Sequence, residues 1–574
     1  MMKFFHVYNE RYFAGLEKNG LINEDTGFKI QHVFAMPEEL KFNSIAAKDG
    51  KLHSMIRENR YPFYVDRLAG GTTYHEYSFD KALIREYESL LGKWFLGFQL
   101  HESASNRRQE WNKLRKTMGS DGPYDLQQLK TRLISRYAVT PDGTYLPALS
   151  QGTPEEYAPL RYAADPETFI AEIRNMFALR QTQTDGFILP CDSYYLFTDM
   201  QDKLGMRTFM PEVGWQIPHM RMAVALARGV ARAREKLWGT YYETWIGTIE
   251  EGYSMPCYNT EPGNEWYLTQ ETHPDDFTTQ GANGGSSRLL QRRIYYYSLM
   301  SGADYMAEEW GLNCSYSNMQ TFELSEYGLA KKDFIDFSRK MRGVKAKIPF
   351  AIVLPKDYVC VEIVEPHIPD LYAAHRDIYM ECVLNPTQKA RYGHIEDVLK
   401  RIYHRSGKIY GNEGHTLTNS RFGDLFDILY EDMPDSVFAK YDCLIDATAE
   451  GSFAAKMGSR FPVLESRDLD AMEATLHKLE EGLPCRVDGL HWLLSEDDKG
   501  RRFVSVFNNE GNTRSVKHGD EIDHRADAEV TLTLQMPGEL KCVKASADAV
   551  RTETADGKVW HVGVPAAGFA IFEY

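Results

Sequence analysis

The chain has 574 residues, 43% of them hydrophobic and 26% charged, with a formal net charge of −16. That length exceeds what one hydrophobic core spans, so two to four domains are expected. That acidity repels phosphate backbones and anionic lipid, which argues against nucleic acid and membrane surfaces as partners.

No run of about 18 apolar residues is present, and the start MMKFFHVYNERYF does not read as a secretory leader. With eight cysteines scattered along the chain, a reducing cytoplasm is the expected compartment. The cysteines show neither CxxC spacing nor a histidine at metal-ligand intervals, so thiols without a metal are expected, and no cofactor is implied. Aromatic residues make up 13%, which serves large cores and also sugar-binding clefts, where ring faces stack on pyranose C–H faces.

In chain order, Phe4-His6-Val7 opens a first strand-like run, followed by the helical YFAGLEKNGL. FKIQHVFAM (28–36) is a second run, then a helix over Ile45–Asn59, then YPFYVDRLAGG (61–71) with a Gly-Gly exit. FDKALIREYESLLG spaces its apolar residues for a helix and ends in a capping glycine; WFLGFQLHE (94–102) is the fourth run. An insertion at about 103–184, with helical stretches such as PETFIAEIRNMFALR, precedes the fifth, DGFILPCDSYY. MRTFMPEVGW (206–215) is the sixth; the helix HMRMAVALARGVARAREK leads to the seventh, LWGTYYETWIG (237–247). A long polar loop (248–287) with Trp266 and His273 follows, of the kind that often serves function. The helix RLLQRRIYYYSLMSG then precedes the eighth run, ADYMAEEWG (303–311). Arg288, Arg292 and Arg293 sit at helical spacing and read as a solvated face.

Eight strand-like runs alternating with helices in residues 1–345 predict an α/β fold with a (β/α)8 TIM barrel. A doubly wound open sheet is the competitor, but no GxGxxG follows a strand. Residues 346–484 read as a smaller α/β domain, with strands at IPFAIVLP and FAKYDCLIDA and helices at HIEDVLKRIYHRS and GDLFDILYED. Residues 485–574 hold β-type runs separated by DDKG, NNEGN and ADGK, which suggests a β-sandwich.

The carboxyl ends of barrel strands open onto the face where active sites of this fold lie. Glu102 ends the fourth run and Glu243 lies near the end of the seventh, and two carboxylates converging there meet the requirement of glycosidic bond hydrolysis. Glu243, between Tyr242 and Trp245 on an apolar strand, is hard to place as a bland residue, and Tyr242, Trp245, Glu212, Glu308 and Glu309 are candidates to bind the sugar. Glu102 has a structural alternative as a helix-start carboxylate before SNRRQEW. Glu212, Glu308 and Glu309 are rivals; strand alternation points one of the last two into the barrel mouth and the other away. Asp66 and Arg67 either bind sugar hydroxyls or pair with each other, and His101 either bonds substrate or Glu243 or is a structural histidine.

The order barrel, α/β domain, β domain, with ELSEYGLAKKDFIDFSRKMRG, RFGDLFDIL, FAKYDCLIDA and VPAAGFAIFEY, resembles clan A retaining glycoside hydrolases, especially the three-domain family 42 β-galactosidases and relatives. The resemblance implies an amidotransferase-like middle domain, with Glu102 as general acid/base, Glu243 as nucleophile and Trp310 as the floor of the sugar pocket. It implies a glycosidase acting on β-linked galactoside- or glucoside-like oligosaccharides with retention, and a homo-oligomer, since those relatives are often trimeric. The chain departs from the clan pattern in three places: His101 stands where Asn usually precedes the acid, FKIQHVFAM lacks the strand-two arginine although Arg67 ends the third run, and Glu212 replaces a common Tyr or His.

Three alternatives stay open. One is a non-catalytic carbohydrate-binding protein on a barrel scaffold, and another an inverting glycosidase using other barrel carboxylates. The third, an amidotransferase-type enzyme, would need a nucleophilic Cys in a sharp strand-to-helix turn, whereas Cys443 lies inside YDCLIDA.

Overall fold

The computed structural model describes residues 1–31, 41–68, 78–101, 174, 177–178, 180–191, 198–214, 220–244, 286–309, 315–318, 320–356, 358, 386–403, 417–448, 451–515, 519–546 and 551–574. The first part is built on strands β1 (Lys3–Val7), β2 (Thr26–Gln31), β3 (Phe63–Leu68), β4 (Phe95–His101) and β5 (Ile188–Cys191). The sixth position is split into β6 (Thr208–Phe209) and β7 (Glu212–Gly214); β8 (Leu237–Glu243) and β9 (Tyr305–Glu309) complete the set. They hydrogen-bond in the order β5-β4-β3-β2-β1-β9-β8-β6, with β7 also on β8, and every described pairing is parallel. This is the expected (β/α)8 barrel, nearly closed.

Alternation sorts its side chains. Phe5, Tyr64, Leu96, Leu189, Cys191, Met210, Leu237, Tyr241, Tyr305 and Ala307 form a separate buried cluster, the filled barrel interior. The intervening residues, Phe4, Phe63, Val65, Phe98, Tyr242 and Met306 among them, join the larger core beneath the helices. In β4 the alternation is reset at Gly97, whose φ of +97 marks a bulge where Phe187 O would lie 2.5 Å from any added Cβ.

The helices form where their caps and periodicity direct. In α1 (Lys81–Leu91), the Asp80 side chain accepts from the backbone N–H groups of Ala82 and Leu83, and Gly92 closes the helix at φ +56. In α2 (Met220–Arg234) the alanines and Gly229 allow a close approach: a Cβ at Gly229 would sit 2.7 Å from Ile428 O. Three of the four arginines of this helix are fastened to the middle of the chain, while Arg234 pairs with Asp202 at 2.9 Å. Arg228 Nε donates to Asp427 Oδ1 at 2.7 Å, Arg232 Nη1 to Asp427 Oδ2 at 2.8 Å, and Arg221 Nη1 to Ser420 Oγ at 2.7 Å. In α3 (Arg288–Met300), Ser287 caps through Leu290 N–H. Arg293, expected on a solvated face, is instead fully buried; its Nη1 donates to Asn508 O at 3.3 Å and Asn509 Oδ1 at 3.2 Å. Helical spacing locates a face but not what covers it, and here the covering segment lies more than 200 residues away.

A second, all-parallel sheet has the order β11-β10-β12-β13, where β10 is Phe350–Leu354, β11 Phe426–Tyr430, β12 Cys443–Asp446 and β13 Val463–Glu465. GDLFDILYED, expected as a helix, supplies β11. Five consecutive buried residues suit either structure by pattern; pairing alongside β10 decides for strand. The C-terminal segments form antiparallel sheets: a five-stranded one through Lys345–Ala346, His491–Glu496, Arg502–Phe507, Phe569–Glu573 and Lys541–Ala545, and a four-stranded one through Cys485–Asp488, Ala528–Leu534, Val559–Val564 and Arg551–Thr554. Among the described residues, no helix is long and apolar enough to cross a membrane.

Candidate active site at the carboxyl ends of the barrel strands

Because all barrel strands run the same way, the residues ending them meet on one rim. Lys29 (β2), Asp66 (β3), His101 (β4), Glu212 (β7), Glu243 (β8) and Glu309 (β9) all bring charge or imidazole there, and all are buried. Glu243 lies two residues beyond Tyr241, and Glu309 two beyond Ala307; both predecessors belong to the interior cluster, so both carboxylates face the lumen. The two are direct register partners on adjacent strands, as are Gly214 and Glu243. Gly214 has a steric reason to lack a side chain: a Cβ there would lie 2.5 Å from Glu243 Cβ and 3.1 Å from its Oε2.

His101 approaches two of these carboxylates through one ring nitrogen. Its Nε2 is 3.5 Å from Glu309 Oε1 and 4.0 Å from Glu212 Oε1, and its ring meets that of Tyr241 edge-on at 5.7 Å. Also against Tyr241, Lys29 Nζ pairs with Asp66 Oδ2, Tyr241 OH donates to the same oxygen at 3.3 Å, and Lys29 lies 5.1 Å from the Tyr241 ring centre. The described partners of Asp66 are therefore Lys29 and Tyr241 rather than Arg67, whose side chain lies outside the described residues. Tyr64, deeper in the lumen, has its hydroxyl pushed well above the usual tyrosine range by burial and by the Asp66 charge, so it stays neutral.

Two residues expected at the sugar face lie on the other side of the barrel wall. Glu308 accepts from Tyr295 OH, from Tyr327 OH at 2.5 Å, and from Lys331 Nζ at 2.5 Å, beneath α3 and α4 (Glu326–Ser338). Burial and the Glu308 charge hold both tyrosine hydroxyls protonated as donors. Tyr242 bonds Ser286 Oγ and packs edge-on against Tyr295 at 5.9 Å. Period-2 alternation explains both corrections: their neighbours Glu309, Tyr241 and Glu243 take the lumen face.

Glu102, Trp245 and Trp310 lie outside the described residues. The structure thus brings together His101, Asp66, Glu212, Glu243 and Glu309 from the sequence reading, and adds Lys29, Tyr241, Cys191 and Gly214. A lysine in the middle of the apolar run FKIQHVF was the available signal for the first. Cys443, weighed above for amidotransferase-type chemistry, is buried within β12, and burial together with Asp442 pushes its thiol up to about 11. Such a thiol is not a nucleophile near neutral pH.

No protein-family model matches the chain. No curated protein matches it either. It is similar to the solved structure of α-L-fucosidase isoenzyme 2 from Paenibacillus thiaminolyticus, at 10% identity over 100% of this chain and 99% of that one, with a TM-score of 0.42. It is similar to a catalytic mutant of a GH42 β-galactosidase from G. stearothermophilus, at 8% identity over 100% and 98% of the two chains, with a TM-score of 0.46. A third, GH5_18 from Streptomyces cattleya in complex with GlcNAc, is 12% identical over 82% of this chain and 99% of that one, with a TM-score of 0.34.

Proposed function

We propose that the chain is a glycoside hydrolase that cleaves β-linked, galactoside- or glucoside-like oligosaccharides with retention, using Glu243 as nucleophile and Glu102 as general acid/base. The observation that carries this reading is Glu243 itself: a fully buried carboxylate at the end of the seventh barrel strand, facing the lumen beside Glu309, with Gly214 leaving room for it. Carboxylates are rarely buried without a task or a partner, and a rim rich in them suits a reaction whose transition state carries oxocarbenium charge.

In the proposed mechanism Glu243 attacks the anomeric carbon while Glu102, protonated, gives its proton to the departing oxygen. Water then hydrolyses the glycosyl ester, with Glu102 acting as base. Glu309 and Glu212, both near His101 Nε2, would hold substrate hydroxyls, as would Asp66; Trp245 and Trp310 would stack on the sugar. The test is turnover of aryl β-glycosides by wild type and by Glu243→Gln. Loss of several orders of magnitude in kcat with an intact fold supports the reading; unchanged turnover removes Glu243 from the chemistry.

A second reading, inversion by another pair of barrel carboxylates, is favoured by two more lumen carboxylates, Glu212 and Glu309, lying within 4.0 Å of His101 Nε2. Inverting pairs stand about 6.5–9.5 Å apart and retaining pairs about 5–5.5 Å. The anomeric configuration of the first-formed product, read by NMR, separates the two.

A further inference from the structure

Cys191 has no part in the glycosidase reading, yet it ends β5 on the lumen face. It is the direct register partner of His101 on β4, so both side chains leave the sheet on the same side. Glu212 reaches the same place from β7, in register with the lumen-facing Tyr241. A His101 ring nitrogen, Cys191 Sγ and a Glu212 carboxylate oxygen all lie within 4.8 Å of one another, and all three residues are buried. Glu309 Oε1 is a further donor, 3.5 Å from His101 Nε2.

We propose that His101, Cys191 and Glu212 bind a divalent transition-metal ion of the zinc class in the barrel mouth. The donor set points to that class. Imidazole and thiolate favour zinc, cobalt or nickel, while magnesium and calcium prefer all-oxygen shells. Bonds of about 2.0–2.3 Å put tetrahedral donors about 3.3–3.8 Å apart, so the donors close on the ion by about an ångström of side-chain adjustment. Charge favours binding as well. Among the described residues at this rim, four carboxylates (Asp66, Glu212, Glu243 and Glu309) are buried, with Lys29 paired to Asp66 and His101 Nε2 within 4.0 Å of Glu212 and Glu309. A dication bound to one thiolate and one carboxylate is neutral, which removes part of the cost of crowding buried carboxylates. Binding expels the thiol proton to solvent, so affinity rises with pH. Three protein donors leave a fourth position for water or a substrate oxygen, the arrangement of catalytic rather than structural zinc sites.

The inference stands apart from the glycosidase reading, because ion binding is measured directly. Full-length protein without an affinity tag, stripped with chelator, is titrated with cobalt(II) and then with zinc(II). The expected result is one equivalent of cobalt with a thiolate-to-cobalt charge-transfer band, displaced by zinc. Cys191→Ser should lose the band and weaken zinc binding at least about tenfold, while Cys443→Ser leaves both unchanged. No saturable uptake, or uptake without the thiolate band in the wild-type protein, overturns the proposal whether or not the variant folds; so does unchanged binding in a folded Cys191→Ser. Metal binding without glycoside turnover would defeat only the glycosidase reading, and turnover without metal uptake only this one.

Discussion

Glu243 and Glu309 stand at the same level of neighbouring parallel strands, both pointing into the barrel lumen and both almost completely excluded from solvent. Two carboxylates so placed repel each other unless protons, cations or a developing positive charge on a substrate intervene. The surroundings of this pair therefore set what the site does.

Gly214→Ala tests how tightly Glu243 is positioned. The new methyl would overlap Glu243 Cβ at 2.5 Å, so the carboxylate must shift. A displacement of about 1 Å can lower turnover by roughly 10²-fold, while overpacking costs about 1–3 kcal/mol. The expected outcome is a large loss in kcat/KM on an aryl β-glycoside with a folded, modestly destabilised protein. Wild-type kinetics would mean that Glu243 does not react.

Glu308→Gln should show the opposite balance. Glu308 sits outside the lumen, bonded to Tyr295, Tyr327 and Lys331. The amide leaves the buried Lys331 without its counter-charge, a change of about 3–5 kcal/mol. Urea unfolding should register that loss, and kcat measured on the folded fraction should stay within a few-fold of wild type. A kcat collapse without destabilisation would place Glu308 in the chemistry.

Glu102→Ala separates the roles of the two proposed catalytic residues. An acid matters most when the leaving group is poor, so the loss should be large on natural glycosides and smaller on dinitrophenyl glycosides. Azide should restore part of the rate and give a β-glycosyl azide, since it enters through the space of the missing carboxylate. An α-azide would exchange the two assignments, and equal losses on both substrates would make Glu102 structural.

Stability should fall with acid in a defined window. Burial and Arg221 lower the His491 pKa from 6.5 to about 4, and burial and Lys331 lower that of His6 to about 3. Both are neutral in the folded chain. Below pH 6.5 the unfolded chain binds protons that the folded chain refuses, so stability is present above that pH and is lost as pH falls toward about 4. Each such histidine contributes a slope of about 1.4 kcal/mol per pH unit. Unfolding free energies between pH 6.5 and 4 should show this slope, and His491→Gln should remove one proton's share of it. An identical slope in the variant would place the proton uptake elsewhere.

The barrel was legible because its strands announce themselves one at a time: FLGFQLH and LWGTYYE are apolar runs between helices, and each ends in the residue that reaches the rim. Alternation even separated Glu308 from Glu309, though not which of them faced inward; Ala307 in the interior cluster settles that. What stayed hidden depends on partners distant in sequence. β11 read as a helix because its pairing with β10 is not local, and Arg293 read as solvated because Asn508 and Asn509 cover it from afar. Cys191 beside His101 and Glu212 was invisible for the same reason: ligand spacing in sequence finds sites built on one loop, whereas a barrel assembles its rim from separate strands.

The most direct measurement is covalent trapping. A 2-deoxy-2-fluoro-β-glycoside with a good leaving group forms the glycosyl ester quickly and releases it slowly, so peptide mass spectrometry of the inactivated chain reads the nucleophile. With Glu243 as nucleophile, labelling is stoichiometric and confined to the peptide carrying Glu243, with time-dependent loss of activity. A label on Glu212 or Glu309, or turnover of glycosides with no label and an inverted product, would contradict it.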